Sequence, residues 1–240
     1  MSKLSKVALV VGIILGVLLI FILIGIIYSL YEIGAPPKFK VLGISIVDDD
    51  GYPSLLVRFE TNKYTLLKFK LFNEYGELIE SVSPTEGSSA VALSLVGLSP
   101  YTNIIGSHNY TLMIYYGDEL LYEEQVSVHG INPIVSLVSV GVNETIFGYE
   151  VNYLVLDIRN DGDVPLYVTT LNTSIYINNE SVASSIRGNI VTILPGEEKE
   201  VVIDLVPYIT ENPVINIEIL FEGQGGYVQR SLTVNLENYT

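Results

Sequence analysis

The 240-residue chain has no cysteine and no tryptophan, only two methionines and two histidines, and just 12 Lys and Arg against 27 Asp and Glu. Without cysteine there is no disulfide framework, thiol nucleophile or zinc–thiolate site, so any exported part must be held by its cores alone. The scarcity of Met and Cys beside abundant Ile, Val and Tyr fits a thermophile's avoidance of labile side chains. A net charge of −15 with no basic stripe speaks against nucleic acid as a partner. Direct docking of the tail on anionic headgroups is disfavoured for the same reason. The acidic excess is uneven: Lys38–Gly130 holds twelve Asp/Glu against six Lys/Arg, and Ile131–Thr240 fourteen against four. A solvated surface that resists aggregation beside a crowded membrane accounts for it. There is no G-x-S-x-G elbow. Ser107 and His108 are neighbours on a strand, and such neighbours point to opposite faces. No enzyme activity and no cofactor are expected.

What the chain does have is a run of 25 residues without a charge, Val7–Tyr31. As a helix it rises roughly 37 Å, more than the ~30 Å hydrocarbon core of a bilayer. Lys3 and Lys6 precede it and Glu32 follows, so the positive-inside rule places the N-terminus in the cytoplasm and the rest outside. Two alternatives compete with a permanent anchor. A cleaved signal would need a small-residue site, for which Ile33-Gly34-Ala35-Pro36 is poor, and its apolar stretch would be shorter. A prepilin-type leader cut near Ser5-Lys6-Val7 would leave the helix as the core of a filament. Gly12 and Gly16 have the small-xxx-small spacing that brings helices together, which opens a homo-oligomer through the membrane helix.

Asn-x-Ser/Thr sequons begin at Asn109, Asn143, Asn172, Asn179 and Asn238, all on the expected outer side. They are candidate glycosylation sites, and as uncharged polar turn residues they need no glycan to be explained. Beyond Pro36-Pro37, period-two patterns with turn residues every eight to twelve positions recur, with no long amphipathic helix. This spacing indicates sandwiches or barrels rather than βαβ units. Strands are expected near Lys40–Val47, Leu55–Thr61, Tyr64–Phe72, Leu78–Val82, Ala90–Leu95, Tyr110–Tyr116 and Leu121–Val128. Gly130-Ile131-Asn132-Pro133 forms a seam. A second series follows at Val135–Val142, Val151–Arg159, Leu166–Leu171, Ser174–Ile177, Ile190–Leu194, Glu200–Val206, Val214–Phe221 and Val228–Val234. The expected organisation is a cytoplasmic stub and transmembrane helix over 1–36, a first sandwich over 37–130 and a second over 131–240, each of ordinary size.

The segment Val155-Leu156-Asp157-Ile158-Arg159-Asn160-Asp161-Gly162-Asp163-Val164-Pro165-Leu166-Tyr167-Val168, with Ile175–Glu180 and Leu194–Ile203, resembles the water-stress and hypersensitive-response (WHy) domain of the late-embryogenesis-abundant β-sandwich proteins. It is also similar to adhesion-type immunoglobulin-like modules of exported archaeal and bacterial proteins. The resemblance implies a fibronectin-like sandwich, often tethered at a membrane, with no catalytic residues to transfer. In the first block, Leu98-Ser99-Pro100-Tyr101 before Tyr110-Thr111-Leu112 resembles the fibronectin type III approach to its tyrosine corner. Each piece also has a plain cause: Asn160–Asp163 is expected to supply positive-φ turn residues, Gly162 among them, and Pro195–Glu198 to close a hairpin.

Asp48, Asp50, Asp161 and Asp163 are candidate calcium ligands, since that ion takes several oxygens from a loop. Neither loop completes an EF-hand pattern, so turn chemistry is the reading taken and no metal site is expected. Pairing Tyr110 with Val126 and Ile114 with Tyr122 puts His108 and His129 on opposite strand faces, where they cannot share a metal. It makes Gly117-Asp118-Glu119 a three-residue loop and leaves Glu124 inward opposite Leu112. Seventeen tyrosines are read mainly as core and cross-strand packing, with at most one of Tyr115 and Tyr116 in a core. The reading is an all-β protein with two tandem immunoglobulin-like (fibronectin-like) sandwiches behind one N-terminal transmembrane helix. It is anchored in the bilayer through residues 7–31 at the cell membrane, meets other surface proteins, and acts by structure or binding. The alternative is a pilin-like or stator-like part of a surface filament.

Overall fold

The computed structural model describes residues 17–27 and 37–240. The chain divides into two units, Met1–Lys38 and Phe39–Thr240. In the first, residues 17–27 are an apolar helix with exposed side chains. Among the described residues no helix is long and apolar enough to cross a membrane. The remainder of Val7–Tyr31, with Gly12, Gly16 and the flanking lysines, lies outside the described residues.

The second unit is all-β. Its strands are β1 (Phe39–Asp49), β2 (Tyr52–Thr61), β3 (Leu67–Phe72), β4 (Leu78–Val82), β5 (Ala90–Ser94), β6 (Asn103–Ile104), β7 (Ser107–Tyr116) and β8 (Glu119–His129). After residues 130–132 come β9 (Pro133–Thr145), β10 (Gly148–Asn160), β11 (Leu166–Thr169), β12 (Thr173–Ile177), β13 (Glu180–Val182), β14 (Ser184–Ile186), β15 (Ile190–Ile193), β16 (Glu198–Thr210), β17 (Val214–Gln224) and β18 (Gly226–Asn235). Up to β8 the chain makes two sheets, ordered β1-β2-β5 and β4-β3-β7-β8. From β9 onward it makes β14-β16-β10-β9 and β13-β12-β17-β18, with β11 and β15 pairing separately.

Alternation explains why these segments pair face to face. Leu55, Val57 and Phe59 of β2 are buried while Arg58 and Glu60 on either side of Phe59 are exposed, and β3 buries Leu67, Phe69 and Leu71 around Lys68 and Lys70. The two inner faces meet at Phe59 and Phe69, whose ring centroids are 4.9 Å apart, with Phe39 stacked 5.9 Å from Phe59. In the second half Leu154, Leu156 and Ile158 of β10 and Val201, Ile203 and Leu205 of β16 supply one layer, and Ile215, Ile217, Ile219 and Phe221 of β17 the other. Each such side chain contributes about 1.5–3 kcal/mol on burial, so these five rows are the main adhesive of the fold.

Several expectations are corrected. Tyr64 sits in a turn and β3 begins at Leu67. The register Tyr110↔Val126, Leu112↔Glu124, Ile114↔Tyr122 is present, but a bulge after Ile114 pairs Tyr116 with Glu119 and leaves a two-residue loop, Gly117-Asp118. Glu124 keeps its place opposite Leu112 and is still exposed, because β8 is the edge strand of its sheet. Tyr115 and Tyr116 are both half-buried; Tyr115 lies under the Lys70 ammonium, 4.7 Å from the ring centroid. Pro195–Glu198 does not close a hairpin: β15 pairs with β11 and β16 with β10 and β14, so this turn carries the chain between sheets. Strands β6, β13 and β14, of two or three residues each, are additional.

A candidate functional site at the seam

Where the chain passes from β8 to β9, backbone meets backbone with almost no side chains between. Strand β6 of the first half lies parallel beside β17 of the second, Asn103 opposite Gly223 and Ile104 opposite Gln224. A Cβ at Gly223 would stand 2.2 Å from the Asn103 carbonyl oxygen, and one at Gly130 2.2 Å from that of Ile104, so both positions exclude side chains. The linker is tied back by Gly130 N–H to Gly106 O (2.6 Å) and Ile131 N–H to Ile104 O (2.8 Å).

Buried polar groups complete the joint, and buried polar groups hold only when paired. The fully buried Asn103 amide donates from Nδ2 to the carbonyls of Tyr167 (3.0 Å) and Glu222 (3.2 Å), and its Oδ1 accepts from the Tyr167 N–H (2.8 Å). Tyr167 is also fully buried. Its ring meets Tyr101 edge-on at 5.7 Å and its hydroxyl donates to Asp48 Oδ1 at 2.7 Å. Burial, and after it the Asp48 carboxylate, pushes the Tyr167 pKa far up, so this hydroxyl stays a donor at physiological pH. Asp48 Oδ1 also takes the Gly51 N–H (3.0 Å), in a hairpin whose turn residues Asp50 and Gly51 both have positive φ.

The second loop expected to hold calcium is built differently. Asn160 is fully buried, accepting from Gly162 N–H (3.1 Å) and donating to the carbonyls of Val164 (2.7 Å) and Ile193 (3.1 Å). None of Asn160–Asp163 has positive φ, so Gly162 is not the left-handed turn residue the motif suggests. Glycine is required because its Cβ would lie 2.2 Å from the Gly130 carbonyl oxygen. Asp161 forks onto Arg159 at 2.8 Å for both bonds. Asp163 Oδ2 accepts from His129 Nδ1 (2.8 Å) and the His129 N–H (3.1 Å), which hold its pKa below the usual carboxylate range. Asp48, Asp161 and Asp163 are thus engaged with protein donors, while Asp50 is exposed at its turn. Among the described residues no three His, Asp or Glu side chains group as metal ligands. His108 and His129 are separate: His108 Nε2 meets the Ile105 carbonyl (2.9 Å), and His129 is exposed beside Asp163.

Beside this joint a groove of about 650 Å³ opens between the halves, lined by Tyr101, Thr169, Leu171, Asn172, Ile190 and Glu222 among others. Leu171, 95% exposed, is held out by a tight turn in which Thr169 Oγ1 accepts the Leu171 and Asn172 N–H groups, both at 3.2 Å. Apolar walls with one carboxylate, Glu222, and two amides, Asn172 and Asn189, suit binding a side chain more than moving protons. Of the sequons, Asn109, Asn143, Asn179 and Asn238 are exposed. Asn172 instead spends its Nδ2 on the Tyr101 carbonyl (3.0 Å) and its Oδ1 on the Thr169 N–H (2.9 Å). In the first half, Leu98 is exposed and the buried Tyr110 hydroxyl finds no partner among the described residues; burial, with Glu74 nearby, pushes its pKa up to about 12. Sequence reasoning missed Asn103, Tyr101 and Tyr167 as a set, for their partners are distant in the chain.

No family model matches the chain, and no curated protein matches it. Among solved structures it is similar to the chicken interferon gamma receptor alpha chain, at 12% identity over 83% of this chain and 98% of that one, with a TM-score of 0.26. A glycoside hydrolase family 2 β-glucuronidase shares 12% identity over 82% of this chain and 20% of its own, TM-score 0.23. An exo-β-D-glucosaminidase shares 10% over 79% and 26%, TM-score 0.26. The chain spans about a fifth to a quarter of those two glycosidases. At such scores the likeness carries no argument, and the architecture rests on the strand pairing itself.

Proposed function

We propose that this chain is a membrane-anchored, extracytoplasmic protein of the cell surface that acts by structure or binding and not by catalysis. In this reading residues 7–31 tether it, with the N-terminus inside, and two tandem immunoglobulin-like sandwiches, the second WHy-like, stand outside and meet other surface proteins. The sheet orders β1-β2-β5 with β4-β3-β7-β8, and β14-β16-β10-β9 with β13-β12-β17-β18, support the immunoglobulin-like description, because hairpins and crossovers alternate between facing sheets. The observation that carries the functional reading is the seam. Backbone ties and the Asn103 and Tyr167 bonds fasten the two halves, as suits a scaffold that presents surfaces in fixed register. Protease added to intact cells is expected to degrade the chain beyond Pro36 and leave a short anchored fragment, with N-terminal sequencing beginning ahead of Val7. Full protection of the tail would refute the orientation, and a mature terminus at Val7 would move the protein to a filament.

A further inference from the structure

We propose that the end of the second sandwich remote from the linker is a docking tip for a partner protein that offers an apolar socket ringed by Lys and Arg. The β9–β10 turn carries Ile146, 91% exposed, and Phe147, 67% exposed, side by side. On the adjoining strand β16, Ile209, 53% exposed, pairs with Glu150. The turn is pinned. Thr145 Oγ1 donates to the Gly148 carbonyl (3.0 Å) and accepts the Phe147 N–H (3.1 Å), while Gly148, at φ +110°, packs its backbone against Thr210, where a Cβ would stand 2.3 Å from the carbonyl oxygen. Two large apolar side chains held outward on such a turn are preorganised to enter a pocket, which lowers the ordering cost of binding.

Charge selects the occupant. Glu144 and Glu150 flank the turn on β9 and β10, and the Glu211 Cα lies 3.0 Å from the Cβ position of Gly148. Residues 140–154 and 204–216, at this end of β9, β10, β16 and β17, contain no Lys or Arg. An anionic bilayer would repel these carboxylates, and a second copy of the chain would oppose them with its own. A basic-rimmed apolar socket satisfies both features at once, in the pattern of a buried anchor inside a complementary rim.

The inference rests on the binding reading above, and the experiment separates the two. The full chain, in its native membrane, carries the photo-crosslinker p-benzoylphenylalanine in place of Phe147 or, separately, of Leu171 in the seam groove. From position 147 the expected product is an adduct to one polypeptide, mapped to an apolar surface flanked by Lys or Arg. Its yield should fall at least tenfold with Ile146→Asp, and likewise with Glu144→Lys, Glu150→Lys and Glu211→Lys combined. An adduct to lipid, to a second copy or to an acidic surface, or one indifferent to charge reversal, overturns the proposal. Crosslinking from 171 but not from 147 removes the tip and leaves the binding reading standing; silence at both positions removes both.

Discussion

Two acid-and-glycine turns reach the seam from opposite halves, and they look alike in sequence while being held by different forces. In Asp48–Gly51 the glycine is there for conformation: Gly51 sits at φ +87°, after Asp50 at φ +52°, and the turn's acid reaches Tyr167 across the seam. In Asn160–Asp163 the glycine is there for space, since the backbone of residues 130–132 runs against it and its φ is ordinary. Composition alone does not reveal why a glycine is needed. What the atoms nearest its missing Cβ can do decides the cost of replacing it.

The contrast breaks most visibly on substitution by alanine. At Gly162 the new methyl would meet backbone atoms that cannot step aside, so Gly162→Ala is expected to cost about 2–3 kcal/mol. At Gly51 it would meet the Tyr101 ring, at 2.4 Å, which can turn, and the residual left-handed strain is about 1 kcal/mol, so Gly51→Ala is expected to cost about 1–2 kcal/mol. Denaturant unfolding of the full chain in detergent measures both; an equal or reversed order would undo the distinction. Next in size is Tyr167→Phe, which removes one buried bond to a carboxylate and should cost about 1–2 kcal/mol in the same assay.

The smallest effect is electrostatic. The Asp163 pKa is lowered in the folded chain by the His129 ring and backbone N–H donors. Its contribution is therefore fully present above the unfolded carboxylate pKa of about 3.9 and lost as the pH falls through the lower folded value. Asp204 and Glu197 are lowered as well, by Arg187 and by the Leu194 N–H with Lys199, so acid sensitivity is shared. Asp163→Asn should flatten only part of the acid limb and leave stability near neutrality within about 0.5 kcal/mol of wild type, as an exposed pair does. Acid melts that superpose for variant and wild type would show that the His129 contact contributes nothing.

Much of the β architecture was legible because burial alternates with period two: the long strands and the Tyr110–Val126 register follow from it. Strands β6, β13 and β14 were not, since two or three residues hold no period. The seam was also invisible, because Asn103 and Tyr167 are 64 positions apart and Asp48 and Tyr167 119 apart, and no local pattern links such partners. The same gap made Asp48, Asp161 and Asp163 look like open calcium ligands, when Tyr167, Arg159 and His129 already use their oxygens. Gly162 shows the limit from the other side: a glycine was rightly singled out, for the wrong physical reason.

The seam ties residues 39–240 into one compact unit, which should unfold as a single thermodynamic body. Calorimetry of the full chain in detergent decides this, read on wild type and on Asn103→Ala, which strips the amide that bonds Tyr167 and Glu222. A single transition is expected in wild type, with calorimetric and van't Hoff enthalpies equal, shifted down as a whole in the variant. Two separable transitions in wild type, with only one of them moved by Asn103→Ala, would contradict it.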